Sequence, residues 1–254
     1  MNTNRNESAR NAENHPSSQN TDQDDDSIES WLTLCHIPGV GNTTIRLLLE
    51  CFGSADAILS ASTKQLSSAL STKLATEQAE AGHELQNSRT INTDILSAIA
   101  NSHDTCDQER FQADLLWCQL DGHHIIPVTD ERYPSLLSVL NDAPVMLYVR
   151  GDPDYLKQPQ LAMVGTRNPT AAGRNTAREF ANHLSNAGIT ITSGLASGID
   201  GASHEGALEG IAGTVAVVAH GLDIIYPAQH QQLAQRITEH GAVISEMPIG
   251  TQPT

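Results

Sequence analysis

Leu161-Ala162-Met163-Val164-Gly165-Thr166-Arg167 and, one helix-length later, Ile189-Thr190-Ile191-Thr192-Ser193-Gly194-Leu195-Ala196-Ser197-Gly198-Ile199-Asp200 follow one plan, an apolar run that ends in a glycine-bearing turn. Two further apolar runs come after them, at residues 214–218 and 242–245, each separated from the last by a segment with helical spacing. Strand and helix in strict alternation are the signature of βαβ units, and hence of a parallel sheet covered by helices. Strands are therefore expected at residues 161–164, 189–192, 214–218 and 242–245. The first crossover helix places Ala177, Phe180, Ala181 and Leu184 on one face, and Gly188 stops it. A second helix is expected to start near Asp200 and a third to lie around Leu233 and Ile237.

Upstream of this block, residues 124–128 and 145–149 read as two more strands, with a short helix after Tyr133-Pro134 between them and Gly151-Asp152-Pro153 ending the second. The sheet domain is thus expected over residues 121–254. Residues 28–120 read as a helical domain. Ile28, Trp31, Leu32 and Cys35 fall at helical spacing, Pro38-Gly39-Val40-Gly41 makes a tight turn, and Ile45, Leu48, Leu49 and Phe52 give the next apolar face. Asn42 or Thr43 is the expected cap of that second helix. Leu66, Leu70 and Leu74 mark a further apolar face, and Leu115, Leu116 and Leu120 another.

Residues 1–27 hold almost no apolar side chains and a run of acids (Asp22, Asp24, Asp25, Asp26), so a disordered acidic tail is expected there. The tail has no hydrophobic centre of the kind a secretory signal needs, and no apolar run approaches the ~20 residues that cross a bilayer, so no membrane partner is expected. The four cysteines, Cys35, Cys51, Cys106 and Cys118, form no C-x-x-C pair. That spacing argues against a disulfide framework or a zinc ribbon and suits a reducing cytoplasm.

The formal net charge is −16, which opposes nucleic-acid binding driven by long-range attraction. The acidic run Asp22, Asp24, Asp25, Asp26 and Glu29 belongs to the tail and its edge, however, while Arg167, Arg174 and Arg178 lie close together in the α/β part. A local basic pocket is compatible with an acidic whole.

The two glycine turns are the chemically informative features. Gly165 lets the chain bend sharply at the carboxyl edge of the sheet, where ligands of open α/β sheets bind, and Arg167 projects from that bend. Gly165 and Gly173 do not make G-x-G-x-x-G, and no acid closes the next strand to hold a ribose, so no dinucleotide cofactor is expected. Ser193-Gly194 and Ser197-Gly198 precede a helix start at Asp200, where hydroxyls, close backbone approach and unpaired amides suit an anion. The same residues also suit a tight strand-to-helix turn capped by Asp200. Tyr226, near the same edge, is able to stack on a base, but a place in the core beside Ile224 and Ile225 is the better expectation.

Asp200, His204 and Glu205 fall within two turns of one another and keep open an enzyme that processes nucleotides or phosphosugars. No nucleophile elbow, Walker motif or metal-ligand spacing accompanies them. The Pro38–Gly41 hairpin can hold one DNA phosphate on its amides, or serve a docking or oligomerisation domain, with Arg46 the only nearby base.

In order along the chain, Tyr133-Pro134, Asp142-Ala143-Pro144 with Leu147-Tyr148 and Gly151, Val164-Gly165-Thr166-Arg167, Ser193 to Asp200, His204 with Ala207-Leu208, Gly221-Leu222-Asp223 with Tyr226-Pro227, and Ser245-Glu246-Met247-Pro248 resemble the DNA-processing protein A (DprA/Smf) family of natural transformation. The resemblance implies an extended Rossmann-like fold behind a sterile-alpha-motif-like helical domain. It implies a cytoplasmic homodimer that binds single-stranded DNA, protects it and helps load the recombinase RecA, in a family not established as a catalyst; from the residues themselves no cofactor and no metal is expected. Carried over, Arg167 matches the arginine of the family's DNA pocket. Gly165, Ser193, Gly194, Ser197 and Gly198 match its glycine-rich walls, and Thr166 and Arg174 join the expected DNA-binding set.

Two departures stand out. Ala219-His220 replaces the small pair, such as Gly-Cys, that precedes Gly-Leu-Asp in the family. The sequence also stops at Thr254, before the place where a basic Phe-Pro-x-Arg-Asn-Arg segment is expected, as a fragment or a truncated chain would.

Overall fold

The computed structural model describes residues 27–81 and 92–253. The acidic tail expected over residues 1–27 lies, apart from Ser27, outside them. Among the described residues six strands form one sheet: β1 (His123–Pro127), β2 (Met146–Gly151), β3 (Gln160–Ala162), β4 (Thr190–Ser193), β5 (Thr214–Val218) and β6 (Gly241–Ser245). Their order is β1-β2-β6-β5-β4-β3. β3 to β6 run parallel, with Leu161 opposite Ile191, Thr192 opposite Val215 and Val217 opposite Ile244. β2 joins β6 antiparallel and β1 joins β2 antiparallel, so the parallel block carries a two-stranded extension. This is an extended Rossmann-like α/β fold with helices amino-terminal to the sheet.

The helices between the parallel strands are α9 (Ala171–Asn186), α10 (Ile199–Ala207) and α11 (Gln231–Glu239), with the short α8 (Ser135–Ser138) between β1 and β2. α9 starts where the Thr170 hydroxyl accepts the Gly173 amide (3.0 Å) and ends before Gly188, whose φ of +84° suits glycine. Its inward face is Ala177, Ala181 and Ser185; Phe180, expected on that face, is 63% exposed. Small residues on α9 and on α10 let the two helices come close. A Cβ on Gly206 would lie 2.1 Å from the Arg178 carbonyl oxygen.

Before the sheet come α1 (Ile28–Cys35), α2 (Asn42–Phe52), α3 (Ala55–Ser60), α4 (Thr63–Ala81), α5 (Thr93–Ala100), α6 (Ser102–Thr105) and α7 (Gln108–Cys118). α1 is capped by Ser27, whose hydroxyl accepts the Ser30 amide. α2 is capped by Gly41 rather than by Asn42 or Thr43, because the Asn42 amide oxygen accepts instead from the distant Val145 amide. Helix α7 departs further from expectation. Leu116 and Leu120 are 62% and 55% exposed, while Asp114 and Trp117 turn inward.

Alternation along the strands divides the core. Ile125, Met146, Tyr148, Ala216, Val218 and Val243 meet α11 (Leu233, Ala234, Ile237) and the amino-terminal helices (Trp31, Leu34, Leu48, Leu66) in one cluster. Their neighbours Ile126, Leu147, Val149, Val215 and Ile244 meet Tyr133 and Leu156 in another. The amino-terminal helices therefore bury their apolar side against the same face of the sheet that α11 covers. No helix among the described residues is long and apolar enough to cross a membrane.

Candidate single-strand crevice at the carboxyl edge

The turns after β3, β4 and β5 meet at the carboxyl edge of the parallel block and enclose a crevice of about 230 Å³. Arg167 from the first turn, Gly194, Ala196 and Ser197 from the second, and Ala219 and His220 after β5 line it, together with Tyr226, Pro227 and Pro253. Arg167 is exposed and has no carboxylate within 4 Å among the described residues. An unpaired guanidinium at a concave rim is free to receive an anion, in a bidentate geometry that suits phosphate.

Glycine is required where the first two turns touch. A Cβ on Gly165 would sit 2.6 Å from the Ile199 side chain, and one on Gly198 2.3 Å from the Thr166 carbonyl oxygen, with φ at +89° as well. The Ile199 amide donates to that same Thr166 oxygen (3.2 Å), so the turn carrying Arg167 lies directly on the start of α10. Ser193, 4% exposed, donates its hydroxyl to the Met163 carbonyl (2.7 Å) and staples the two turns from below. Asp200 accepts the Ala196 amide (3.3 Å) and shapes the second turn from within. The amides of Ser197, Gly198 and Asp200 take no acceptor among the described residues, leaving a small set of donors at the helix start. Leu195 holds φ at +59°, a conformation that costs an L-residue about 1–2 kcal/mol, and its buried side chain in the main core cluster offsets this.

All the expected site residues but Arg174 thus fall into two groups. Arg167, Gly194 and Ser197 line the crevice. Gly165, Thr166, Ser193 and Gly198 build it, Thr166 also accepting the Asn168 amide on its hydroxyl (3.1 Å). Arg174, on the first turn of α9, is exposed but does not line it. Arg178 is neutralised by Glu209, whose carboxylate is held below its ordinary range by that guanidinium.

Tyr226 is a correction. It is 53% exposed and lines the crevice, because Ile225 is the residue that packs on the core and the chain turns outward at the next position. Gln229 was also missed; its side-chain amide donates to the Ser197 hydroxyl (2.7 Å). A ring beside an unpaired arginine is the arrangement that holds a base next to its phosphate.

The groups an enzyme would need do not converge here. His204 is fully buried between α10 and β5, and its pKa is driven down to about 3, chiefly by burial. Glu205 is exposed and off the crevice. A larger concavity, about 730 Å³, lies instead beyond edge strand β1, between α1 and α7. Its guanidinium, Arg132, is already committed to Asp130 (2.6 Å), and it receives neither glycine turn. The smaller crevice is therefore the better anion site.

The family model described as DNA recombination-mediator protein A matches residues 124–254. Protein Smf of Escherichia coli (strain K12) is 39% identical over 147 residues, which is 58% of this chain and 39% of that protein. DNA processing protein DprA of Bacillus subtilis (strain 168) is 38% identical over 133 residues, 52% of this chain and 45% of that one. The chain thus spans less than half the length of these curated relatives. The X-ray structure of DNA processing protein A (DprA) from Streptococcus pneumoniae superposes with a TM-score of 0.68 at 25% identity, covering 90% of this chain and 71% of that one.

Proposed function

The chain belongs to the DNA recombination-mediator protein A family, and from that premise we propose that the carboxyl edge of its sheet binds single-stranded DNA largely without regard to sequence. One observation carries this: Arg167, free of any carboxylate among the described residues, stands at a crevice that it shares with Gly194, Ala196 and Ser197 of the second glycine turn, where amides at the start of α10 are unpaired. The guanidinium takes one phosphate, the amides at the start of α10 take the same or the next, and the Tyr226 ring receives a base. None of these contacts reads a base edge, so affinity follows the phosphate chain rather than the sequence. In a duplex the bases are already stacked and paired, which withholds them from Tyr226.

In the cell the bound strand is incoming DNA during transformation. The protein shields it in the cytoplasm as a homodimer and hands it to RecA. The acidic balance of the chain weakens long-range attraction, so binding is governed by contact at the crevice.

A gel-shift titration tests this with dT oligomers, duplex of equal length and dTMP as competitors. Displacement by single strands at concentrations where duplex and dTMP are ineffective is expected. Equal competition by dTMP would mean a mononucleotide site, and equal competition by duplex would mean that the bases play no part.

A further inference from the structure

Asp114 lies on the inward face of α7, fully buried, far from the crevice in sequence and not among its lining residues. One of its carboxylate oxygens, Oδ2, accepts from His36 Nε2 (2.6 Å) at the end of α1 and from the Tyr148 hydroxyl on β2. The other, Oδ1, accepts the backbone amide of Ile249 (3.0 Å), in the segment that follows β6. Burying a carboxylate is tolerated only when its lone pairs are met by donors, and here they come from three distant parts of the chain.

The third donor leads to the crevice. Next to Ile249, the Gly250 amide donates to Asp223 Oδ1 (2.9 Å), and the Thr251 carbonyl accepts the Gly221 amide (2.9 Å). Gly221 fits so closely that a Cβ there would lie 2.8 Å from the Pro248 carbonyl oxygen. The segment after β6 and the loop after β5 are thereby locked together. Each ends in a crevice wall, Pro253 in one case and His220 in the other.

We propose that Asp114 is a positioning residue for the single-strand crevice: the amino-terminal helices, which do not line it, fix one of its walls through the Asp114–Ile249 hydrogen bond. This rests on the crevice being the strand-binding site. The helices therefore do more than shield the apolar face of the sheet. They hold the part of the lining that Pro253 and His220 supply, and loosening that one bond leaves it free to drift.

The test uses the full chain. Asp114→Leu removes the acceptor while keeping a side chain branched at the same carbon, Tyr148→Phe removes a donor to the same carboxylate but spares the loop, and Arg167→Ala reports on the site itself. Each is measured for dT-oligomer Kd, for thermal midpoint, and for hydrogen exchange at the amides of Ile249, Gly250 and Gly221. Asp114→Leu is expected to weaken binding by about tenfold, the loss of one hydrogen bond to a charged group. Exchange at the three amides should rise well below the unfolding temperature, while Tyr148→Phe leaves the Kd within about twofold.

A folded Asp114→Leu protein with wild-type Kd, or with the three amides still protected, would overturn the proposal. So would binding losses in Asp114→Leu and Tyr148→Phe that simply track their thermal midpoints. If Asp114→Leu does not fold, Ile249→Pro deletes the donor from the loop side, leaves the buried carboxylate with His36 and Tyr148, and is judged by its Kd, its thermal midpoint and exchange at the Gly250 and Gly221 amides. Wild-type binding by Arg167→Ala would instead remove the crevice assignment, while the exchange data would still report whether Asp114 anchors the loop.

Discussion

His204 Nδ1 lies 2.7 Å from Thr214 Oγ1, and this contact fixes the tautomer of the histidine. The Thr214 hydroxyl has one proton and gives it to the Ile191 carbonyl (2.6 Å), so the ring nitrogen must be the donor to Oγ1. Nε2 is then an unprotonated acceptor, buried and without a partner among the described residues. Protonating it would place an unpaired charge in the core.

A pH dependence of stability follows from this arrangement. The folded-state pKa is about 3 against an ordinary 6.5, so between those values the unfolded chain binds a proton that the folded chain refuses. Stability from this group is complete above pH 6.5 and is lost as pH falls toward 3, at up to about 1.4 kcal/mol per pH unit. His204→Asn keeps a donor for Thr214 and removes the titration. Its urea midpoint should fall less steeply between pH 6.5 and pH 4 than that of the wild type, and parallel curves would contradict the assignment.

Gly198 and Gly188 both have positive φ, at +89° and +84°, yet only Gly198 is crowded. Gly188→Ala should cost about 1–2 kcal/mol, the left-handed penalty alone, and leave DNA affinity unchanged. Gly198→Ala adds a clash with the Thr166 carbonyl, parts the two turns and should cost more stability and most of the binding. Chemical denaturation with dT titration of each variant checks this.

Tyr226 should matter for binding and little for folding, since about half of it is exposed. Tyr226→Ala is expected to lose roughly 1–3 kcal/mol of oligomer affinity, the stacking of one base, while Tyr226→Phe keeps nearly all of it. A thermal scan beside the titration separates the two effects. An alanine variant that binds normally would take the ring out of the site.

The parallel block was legible because its strands are short apolar runs, the first two ended by glycine-bearing turns, a signal confined to a few neighbouring residues. Even so the ends moved: the first parallel strand is Gln160–Ala162, and Val164, expected inside it, is 81% exposed. Arg167 and the glycine turns could be found for the same reason, since turn chemistry is local. What failed depends on distant partners. Asp114 turns inward on α7, while Leu116 faces out, because residues 36, 148 and 249 bring donors to it, and no window of sequence around α7 contains them. Tyr226 was drawn to the core by its apolar neighbours, although Ile225 alone supplies the packing there. The separate helical domain expected over residues 28–120 stands as a proposal; its apolar side chains share a cluster with those of the sheet.

The most direct test of the central claim is the salt dependence of dT-oligomer binding by the wild type, Arg167→Ala and, as a control, Arg178→Ala. Each phosphate neutralised on a single strand contributes about −0.7 to the slope of log K against log salt. Arg167→Ala should bind more weakly with a slope shallower by about that amount, while Arg178→Ala, whose charge is already spent on Glu209, should match the wild type. A folded Arg167→Ala protein with wild-type affinity and slope would contradict the account.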